Sequence, residues 1–250
     1  MIIRSSRELK ALFHDLGPGD IFIGMLAYKH LKQSVLIDLL ERGITCLPSP
    51  LSQNLNRSKI AQALIFKDWM APHTSVITRR MDLIDTINQY NKHGITAVVT
   101  KEDHLHCGHG IRRWQNIETL YSFMALSESS YPFLVQPFLV DLTDVRVIIA
   151  GEYTEAYVRY NPDNFRMNIS SGGKYYPHAF NQEQEEFCRS VMERGKFPYA
   201  HLDLQIIQSG ECYLAEIALN GGIKGAGISR KELDRKKQEI LEKLANLNSS

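Results

Sequence analysis

The segment HLDLQIIQSGECYLAEIALNGG, residues 201–222, carries two carboxylates thirteen residues apart, Asp203 and Glu216. Each lies in an apolar run, and residues 208–210 supply a turn signal between the runs. If the runs pair as a hairpin, the two carboxylates converge on one point. Paired carboxylates are the ligands with which proteins hold Mg2+ against nucleotide phosphates. The segment therefore predicts a nucleotide–metal site, with solvated strand-end carboxylates as the structural alternative.

The first fifty residues predict a small β-α-β unit. Residues 20–24 have the pattern of a short buried strand, and residues 29–43 have that of a helix. Residues 44–50 form a second strand that closes in prolines.

The next fifty residues continue the alternation of helices and strands. Ser58 is a suitable N-cap for a helix that ends before Pro72. The strands predicted at 74–78 and 95–101 enclose a helix that ends at Gly94. A further helix is predicted from Asn116 to about Ser127.

From residue 131 onward the chain becomes richer in strands. Pro137 interrupts an apolar run and indicates an edge strand or a connector. A hairpin is predicted to turn at Gly151 and Glu152. The C-terminal tail predicts an amphipathic helix with its charges in solvent and an apolar side made by Leu233, Ile240, Leu241 and Leu244. Alternation followed by strands is typical of an α+β chain with several lobes.

Composition excludes several classes of protein. With 250 residues, 44% of them hydrophobic, the chain can bury a sizeable core. Its 29 basic and 28 acidic residues leave a net charge of +1, which offers no global attraction to nucleic acid or to an anionic membrane. No run approaches the roughly 20 apolar residues of a membrane helix, and the start, MIIRSSRELK, lacks the apolar core of a signal peptide. We therefore expect a cytoplasmic protein without nucleic-acid or membrane partners.

Six short motifs occur along the chain in one order: AVVTK, FLVQPFL, DVR, FRMNISSGG, HLDLQ and AEIALNGG. In these motifs the sequence resembles the ATP-grasp superfamily, and most closely its RimK-type and glutathione-synthetase-like carboxylate-amine ligases. The resemblance covers roughly residues 57–230. It implies an α+β ATP-grasp fold in which two α+β lobes clasp ATP after a short α/β N-terminal lobe. The implied lobes are residues 1–56, a central lid lobe at 57–131, and a C-terminal lobe with the metal site at 132–250.

The resemblance also implies a role for individual residues. The residues implied to bind ATP are Lys59, Lys101, Gly108, Gly110, Gln136, Phe138, Leu139 and Asp144. The implied metal ligands are Asp203, Glu216 and Asn220, and the implied catalytic residues are Arg146, Arg166 and Asn168. Lysine suits phosphate because its ammonium is a compact charge on a mobile stem.

The chemistry that the resemblance implies is ATP-dependent amide formation. ATP phosphorylates a small carboxylate, and an amine then attacks the acyl phosphate, which releases ADP and phosphate. The expected metal is Mg2+, with Mn2+ as an alternative, and the expected substrates include amino acids and peptides.

Three features depart from the family pattern. Ala218 stands where the metal motif has asparagine, so Asn220, two residues further on, is the remaining candidate ligand. Pro137 replaces the usual glutamate of the adenine linker. The N-terminal lobe is short, which implies a homo-oligomer or a partner subunit that completes it. The main alternative is therefore an ATP-binding module of the same fold that has lost its chemistry.

A separate cluster lies in the predicted glycine loop. Its members are His104, His106, Cys107 and His109. Their spacing suits zinc or copper, while imidazoles in this loop could also donate to phosphates or remain solvated.

Overall fold

The computed structural model describes residues 1–27, 32–105, 110–125, 131–167 and 172–248. Within these ranges the strands form three sheets, of three, four and five strands, and each sheet carries helices. The buried residues form three hydrophobic clusters, and the largest, on the five-stranded sheet, also includes Ile21, Ile23 and Leu47 of the three-stranded sheet and Leu134 of the four-stranded sheet. This arrangement confirms the predicted α+β class of several lobes.

The N-terminal part contains the predicted β-α-β unit. Its elements are β1 (Ile2–Ile3), α1 (Ser6–Ala11), β2 (Ile21–Ile23), α2 (Lys32–Glu41) and β3 (Thr45–Leu47). The three strands are parallel in the order β1-β2-β3. The helices bury Leu9, Leu36 and Leu39 against Phe22 of the central strand. A short helix, α3 (Pro50–Leu55), leads out of this lobe.

The middle part is a four-stranded antiparallel sheet with helices. Its elements are α4 (Lys59–Ile65), β4 (Ser75–Ile77), α5 (Arg80–Lys92), β5 (Val98–Glu102), β6 (Ile111–Trp114), α6 (Ile117–Met124) and β7 (Phe133–Pro137). Ser58 caps α4 as predicted, since its side chain accepts a hydrogen bond from the Ala61 N–H. The sheet order is β4-β7-β5-β6. Leu83 and Tyr90 of α5 and Leu120 of α6 are fully buried in this lobe's core.

The prediction that Pro137 marks an edge strand or a connector is wrong, because β7 pairs with β4 on one side and with β5 on the other. Pro137 is the last residue of β7, and the pairing with β4 has already ended at Val135. The Phe138 N–H bonds to Ala97 O of the β5 side at 2.9 Å. Successive N–H groups of a strand point to opposite neighbouring strands, so the Pro137 nitrogen points toward the β4 side. The pairing with β4 has ended there, so the proline leaves no acceptor of that pairing without its donor. The proline therefore costs the sheet no hydrogen bond.

The C-terminal part is built on the five-stranded antiparallel sheet. Its elements are β8 (Thr143–Ala150), β9 (Tyr153–Tyr160), β10 (Lys174–Pro177), α7 (Gln182–Arg194), β11 (Tyr199–Ile206), β12 (Cys212–Ala218) and α8 (Arg230–Asn248). The sheet order is β10-β9-β8-β11-β12. The predicted turn between β8 and β9 is confirmed, and Gly151 adopts the left-handed φ of +67° that this turn requires.

The two faces of the five-stranded sheet differ in polarity. Val147, Leu202 and Ile217 lie on one face and pack into the largest core of the protein. The opposite face carries a row of four directly opposed residues, Tyr157, Arg146, Asp203 and Glu216. We call these four residues the polar row. Directly opposed residues of antiparallel strands project to the same face, so the polar row is a continuous line of functional groups.

Helix α8 has the predicted apolar side, with Leu233 and Leu241 buried in the largest core. The prediction that its charges lie in solvent is wrong for Lys237, which is 5% exposed. None of the helices in the described ranges combines the length and apolar character that a membrane span needs.

The predicted lobe boundaries at 56/57 and 131/132 stay a prediction. Strand β7 belongs to the middle sheet. Ala63 and Phe66, from α4 and its C-cap, pack into the core of the five-stranded sheet. The middle part is therefore joined to the C-terminal part by buried apolar contacts as well as by the chain.

Candidate functional site

The predicted hairpin around the two carboxylates is confirmed. Strands β11 and β12 pair antiparallel, and Asp203 lies directly opposite Glu216. The register shifts between Asp203 and Leu204, which leaves Ala215 as an extra residue on β12. Such a bulge breaks the ladder locally and turns the strand. Both carboxyl side chains remain partly open, with exposed fractions of 16% and 31%.

The two predicted phosphate lysines lie next to this hairpin. Lys59 opens α4, and its Nζ is 4.0 Å from Glu216 Oε1 and donates to Leu105 O. Lys101 lies in β5, and its Nζ donates to the bulged Ala215 O at 3.4 Å. Both lysines are more than nine-tenths buried. Burial lowers the pKa of Lys101 to about 8, although Glu216 opposes the shift.

Helix α4 is held against β12 by the side chain of Gln62. Its Nε2 donates to Leu55 O at 2.7 Å and to Ile217 O at 2.8 Å, while its Oε1 accepts from the Ile217 N–H at 3.0 Å. β12 is an edge strand, so the amide acts as a short continuation of the sheet. This contact places Lys59, three residues earlier on α4, beside Glu216 of β12.

Asp203 is already paired with two arginines. Arg146 forms a two-pronged ion pair with it, with Nε on Oδ1 and Nη2 on Oδ2 at 3.0 Å. Arg159 Nη2 lies 3.1 Å from Oδ2, and its Nε donates to Asp144 at 2.6 Å. Burial acts to raise the pKa of Asp203, but the two guanidinium groups outweigh it and lower the pKa to about 2. For Asp144, burial and the neighbouring Asp203 charge raise the pKa.

Four of the residues implied to bind ATP lie between the end of β7 and the start of β8. Gln136 is 5% exposed, and its Nε2 donates to Thr74 Oγ1 at 2.9 Å. Phe138 and Leu139 are half-buried, and Arg113 lies over the Phe138 ring at 4.0 Å. Asp144 is engaged by Arg159 as described above. The structure brings Asp144 next to Asp203, whereas Gln136 and Phe138 lie on the middle lobe.

The loop residues implied to act on phosphate are only partly described. Gly110 has φ +77° and closes the turn before β6, where Glu102 N donates to its carbonyl at 3.0 Å. Arg166 stacks on Phe165 at 4.4 Å, and its Nη2 donates to Ile111 O of β6 at 2.5 Å. Gly108 and Asn168 lie outside the described residues. Arg166 therefore bridges the two lobes.

Asn220 follows the end of β12 and is exposed. Its Oδ1 accepts a hydrogen bond from Lys237 Nζ at 2.9 Å. The same ammonium donates to Leu219 O at 2.8 Å and faces His201 Nε2 at 3.3 Å. Burial lowers the pKa of Lys237 to about 8 and, with the Lys237 charge, lowers the pKa of His201 to about 3. Asn220 is thus already engaged by a cation.

Sequence reasoning missed three residues that shape this site: Gln62, Arg159 and His201. The turn at Gly151 fixes the register in which Arg159 opposes Asp144, so the predicted hairpin did contain that signal. His201 lies two residues before Asp203 on the same strand face. Gln62 has no local signal, because its partners lie 155 residues away.

The alternative transition-metal site stays a prediction. His106, Cys107 and His109 lie outside the described residues, and His104 Nε2 lies 3.2 Å from Asp103 Oδ2. In the described part of the chain, no group of three or more His, Cys, Asp or Glu side chains is arranged to hold a metal ion.

A family model of the RimK-like ATP-grasp domain matches residues 55–243. That span contains α4, all of the middle sheet and the polar row. The chain belongs to the RimK-like ATP-grasp family. The predicted superfamily and fold are thereby confirmed.

Solved structures share the ATP-grasp fold with this RimK-like protein. D-cycloserine synthetase DcsG is 13% identical over 90% of this chain and 83% of its own, with a TM-score of 0.63. D-alanine–D-alanine ligase from Bacillus anthracis is 13% identical over 97% of this chain and 85% of its own, with a TM-score of 0.63.

A third structure of this fold is an ATP-grasp ligase from Chryseobacterium gregarium, which is associated with a RiPP and was solved with ADP and a leader and core peptide. It is 16% identical over 86% of this chain and 68% of its own, with a TM-score of 0.61. Identities this low establish a common fold and nothing more. No curated protein sequence matches the chain.

Proposed function

We propose that this RimK-like ATP-grasp protein is an ATP-dependent carboxylate-amine ligase. The observation that carries the proposal is the meeting of Lys59 and Lys101 with Glu216 and Asp203 between two sheets. Two nearly buried ammonium groups opposite two carboxylates suit a polyphosphate that shares a divalent cation with the protein. Family membership supports ATP as the nucleotide.

The proposed reaction has two steps. A substrate carboxylate oxygen attacks the γ-phosphorus of ATP, the bond to ADP breaks, and an acyl phosphate forms. An amine then attacks the acyl carbon, loses a proton and expels phosphate, which leaves an amide. Lys59 and Lys101 would neutralise the phosphate charge, and Arg146, Arg166 and Asn168 would stabilise the phosphoryl group during transfer.

The residues present fit a divalent cation. Asp203 and Glu216 lie directly opposite each other, and carboxylate oxygens are the donors that Mg2+ and Mn2+ prefer. Asp203 would bind the cation by exchanging part of its pairing with Arg146 and Arg159. Such a cation would supply further neutralisation of the phosphates. Asn220 would join as a ligand only by exchanging its hydrogen bond from Lys237.

The substrate class in this proposal is a small carboxylate and an amine, such as amino acids or peptides. We also propose a cytoplasmic location. A second copy or another subunit would complete the acceptor side at the N-terminal lobe. Sedimentation of the purified protein across a concentration series tests the second copy, and a monomer at every concentration would contradict it.

ADP release in the presence of paired carboxylate and amine libraries tests the reaction. We expect ADP only when both substrates are present, and hydroxylamine should trap the acyl phosphate. Glu216→Gln should abolish turnover, whereas Glu211→Gln, a matched charge loss at the turn of the same hairpin, should leave it intact. ADP release that depends on neither substrate would overturn the proposal.

A second candidate is an ATP-binding module without chemistry. It is favoured by Ala218, which stands where the family's metal motif has asparagine. It is also favoured because Asp203 is paired with two arginines and Asn220 accepts a hydrogen bond from Lys237. This candidate predicts MgATP binding with no hydroxylamine-trapped product for any substrate pair.

A further inference from the structure

His201 is a buried polar residue beside the polar row. It is 3% exposed and lies on β11, opposite Ala218 of β12 and Ile148 of β8. Residues two apart on a strand project to the same face, so its imidazole follows Asp203 along the site. The side chain thus lies beside the predicted metal ligands without being one of them.

The contacts of Lys237 fix which imidazole nitrogen carries the proton. An ammonium group has three protons and no acceptor. Lys237 Nζ faces three acceptors, namely Leu219 O at 2.8 Å, Asn220 Oδ1 at 2.9 Å and His201 Nε2 at 3.3 Å. His201 Nε2 is therefore the acceptor of this contact, and Nδ1 carries the hydrogen.

This Nδ1–H group is buried and finds no acceptor among the described residues. A buried donor without a partner is costly, so its retention needs an explanation. Gly221 covers the imidazole here. A Cβ built on Gly221 would lie 2.8 Å from Arg146 Nη1 and 3.0 Å from His201 Nδ1. His201 Nδ1–H and Arg146 Nη1 thus converge on the position that a side chain at residue 221 would occupy. Because residue 221 is glycine, only its backbone lies there.

We propose that His201 Nδ1–H and Arg146 Nη1 together bind an anionic oxygen of the phosphoryl group that is transferred. This inference rests on the proposed ligase function and extends it to a residue outside the predicted catalytic set. Arg146 Nη1 now donates to Gly222 O at 3.3 Å, a long bond that a charged phosphoryl oxygen would replace. To admit the oxygen, the Gly221–Gly222 backbone would have to move off the imidazole and release the bonds that Arg230 makes to Gly221 O and Arg146 makes to Gly222 O.

A purely structural role would act through Nε2 and Lys237, so the two nitrogens must be tested separately. Asparagine places its amide nitrogen near the position of Nδ1 and has nothing at Nε2. Glutamine reaches the position of Nε2 and has nothing at Nδ1. His201→Asn and His201→Gln therefore each remove one nitrogen and keep a substitute for the other.

The probe is inorganic phosphate, titrated by calorimetry into protein saturated with MgADP. We expect His201→Gln to weaken phosphate binding at least tenfold and His201→Asn to stay within about threefold of the wild type. MgADP affinity should be unchanged in both variants. Thr154→Val, which removes the other buried polar atom without a described partner, is the control and should change neither affinity.

Equal losses in both variants, or unaltered phosphate binding in His201→Gln, would overturn the inference. So would a wild type that binds MgADP but not phosphate. If the wild type binds no MgADP, that result would contradict the proposed ligase function, and the inference would fail with it.

Proton–nitrogen correlation NMR of nitrogen-labelled histidine in the wild type gives a second measurement that needs no variant. Phosphate added to the MgADP complex should move the Nδ1–H proton of His201 downfield. An unchanged resonance at phosphate saturation would contradict the inference.

Discussion

Lys101 is an ammonium group held almost out of water beside the bulged strand β12. Its partners are a carbonyl at 3.4 Å and the charge of Glu216, and burial still lowers its pKa to about 8. Desolvation disfavours the charged form of Lys101, so a bound phosphate would stabilise this ammonium more than it would stabilise a solvated one. The charge of Lys101 therefore depends on pH near pH 8.

ATP affinity should fall as the pH rises through about 8, because the protonated lysine binds phosphate and is lost above its pKa. Lys101→Met should weaken ATP binding roughly ten- to hundred-fold at pH 7 and remove this pH dependence. Calorimetric titrations from pH 6.5 to 9.5 measure both effects. Lys92→Met, at an exposed site, should behave as the wild type. A fall in affinity above pH 8 that persists in Lys101→Met would assign the titration to another group.

At the scale of elements, the site depends on how α4 meets the edge strand β12. Gln62 satisfies Leu55 O and both backbone groups of Ile217 from one side chain. It is 1% exposed, so water cannot replace those bonds. The position of Lys59 relative to Glu216 follows from this contact.

Gln62→Met keeps the volume but orphans three buried backbone groups. We expect a loss of roughly 2–4 kcal/mol in the free energy of unfolding, measured by urea denaturation, and weaker ATP binding. Leu64→Ala on the same helix, where Leu64 is 65% exposed, should change stability by less than about 0.5 kcal/mol. Equal effects of the two substitutions would show that the Gln62 contact does not hold the elements together.

Patterns within one hairpin were predictable, and contacts between distant elements were not. The turn at Gly151 fixes the register that aligns Arg146 with Tyr157, and the turn at residues 208–210 fixes the β11–β12 pairing as far as Leu204 with Leu214. The bulge at Ala215 then brings Glu216 opposite Asp203. The bulge at Ala215 depends on packing that no local pattern records. Lys237 has the sequence signature of a solvated charge, and only the fold reveals its burial against β11 and β12.

At the scale of the molecule, the proposed nucleotide site joins residues that come from two different sheets. Lys59 and Lys101 come from the middle part, and Asp203 and Glu216 come from the five-stranded sheet. Arg166 adds a direct bond from the loop after β9 to Ile111 of β6. A ligand in this cleft contacts both parts, so its binding energy should stabilise the whole chain.

MgATP at 100 times its Kd should stabilise the protein by about 2.7 kcal/mol, observed as a higher midpoint of thermal unfolding. Chelation of Mg2+ with EDTA should remove most of this shift, as should Glu216→Gln. Glu211→Gln should retain it. A shift of the same size with EDTA present would mean that the two carboxylates do not act through a metal.

The most direct test is a crystal structure with Mg2+ and a non-hydrolysable ATP analogue. We predict phosphate oxygens within hydrogen-bonding distance of Lys59 Nζ and Lys101 Nζ, with the cation on carboxylate oxygens of Asp203 and Glu216. A nucleotide bound elsewhere, or a cation that touches neither carboxylate, would contradict the account.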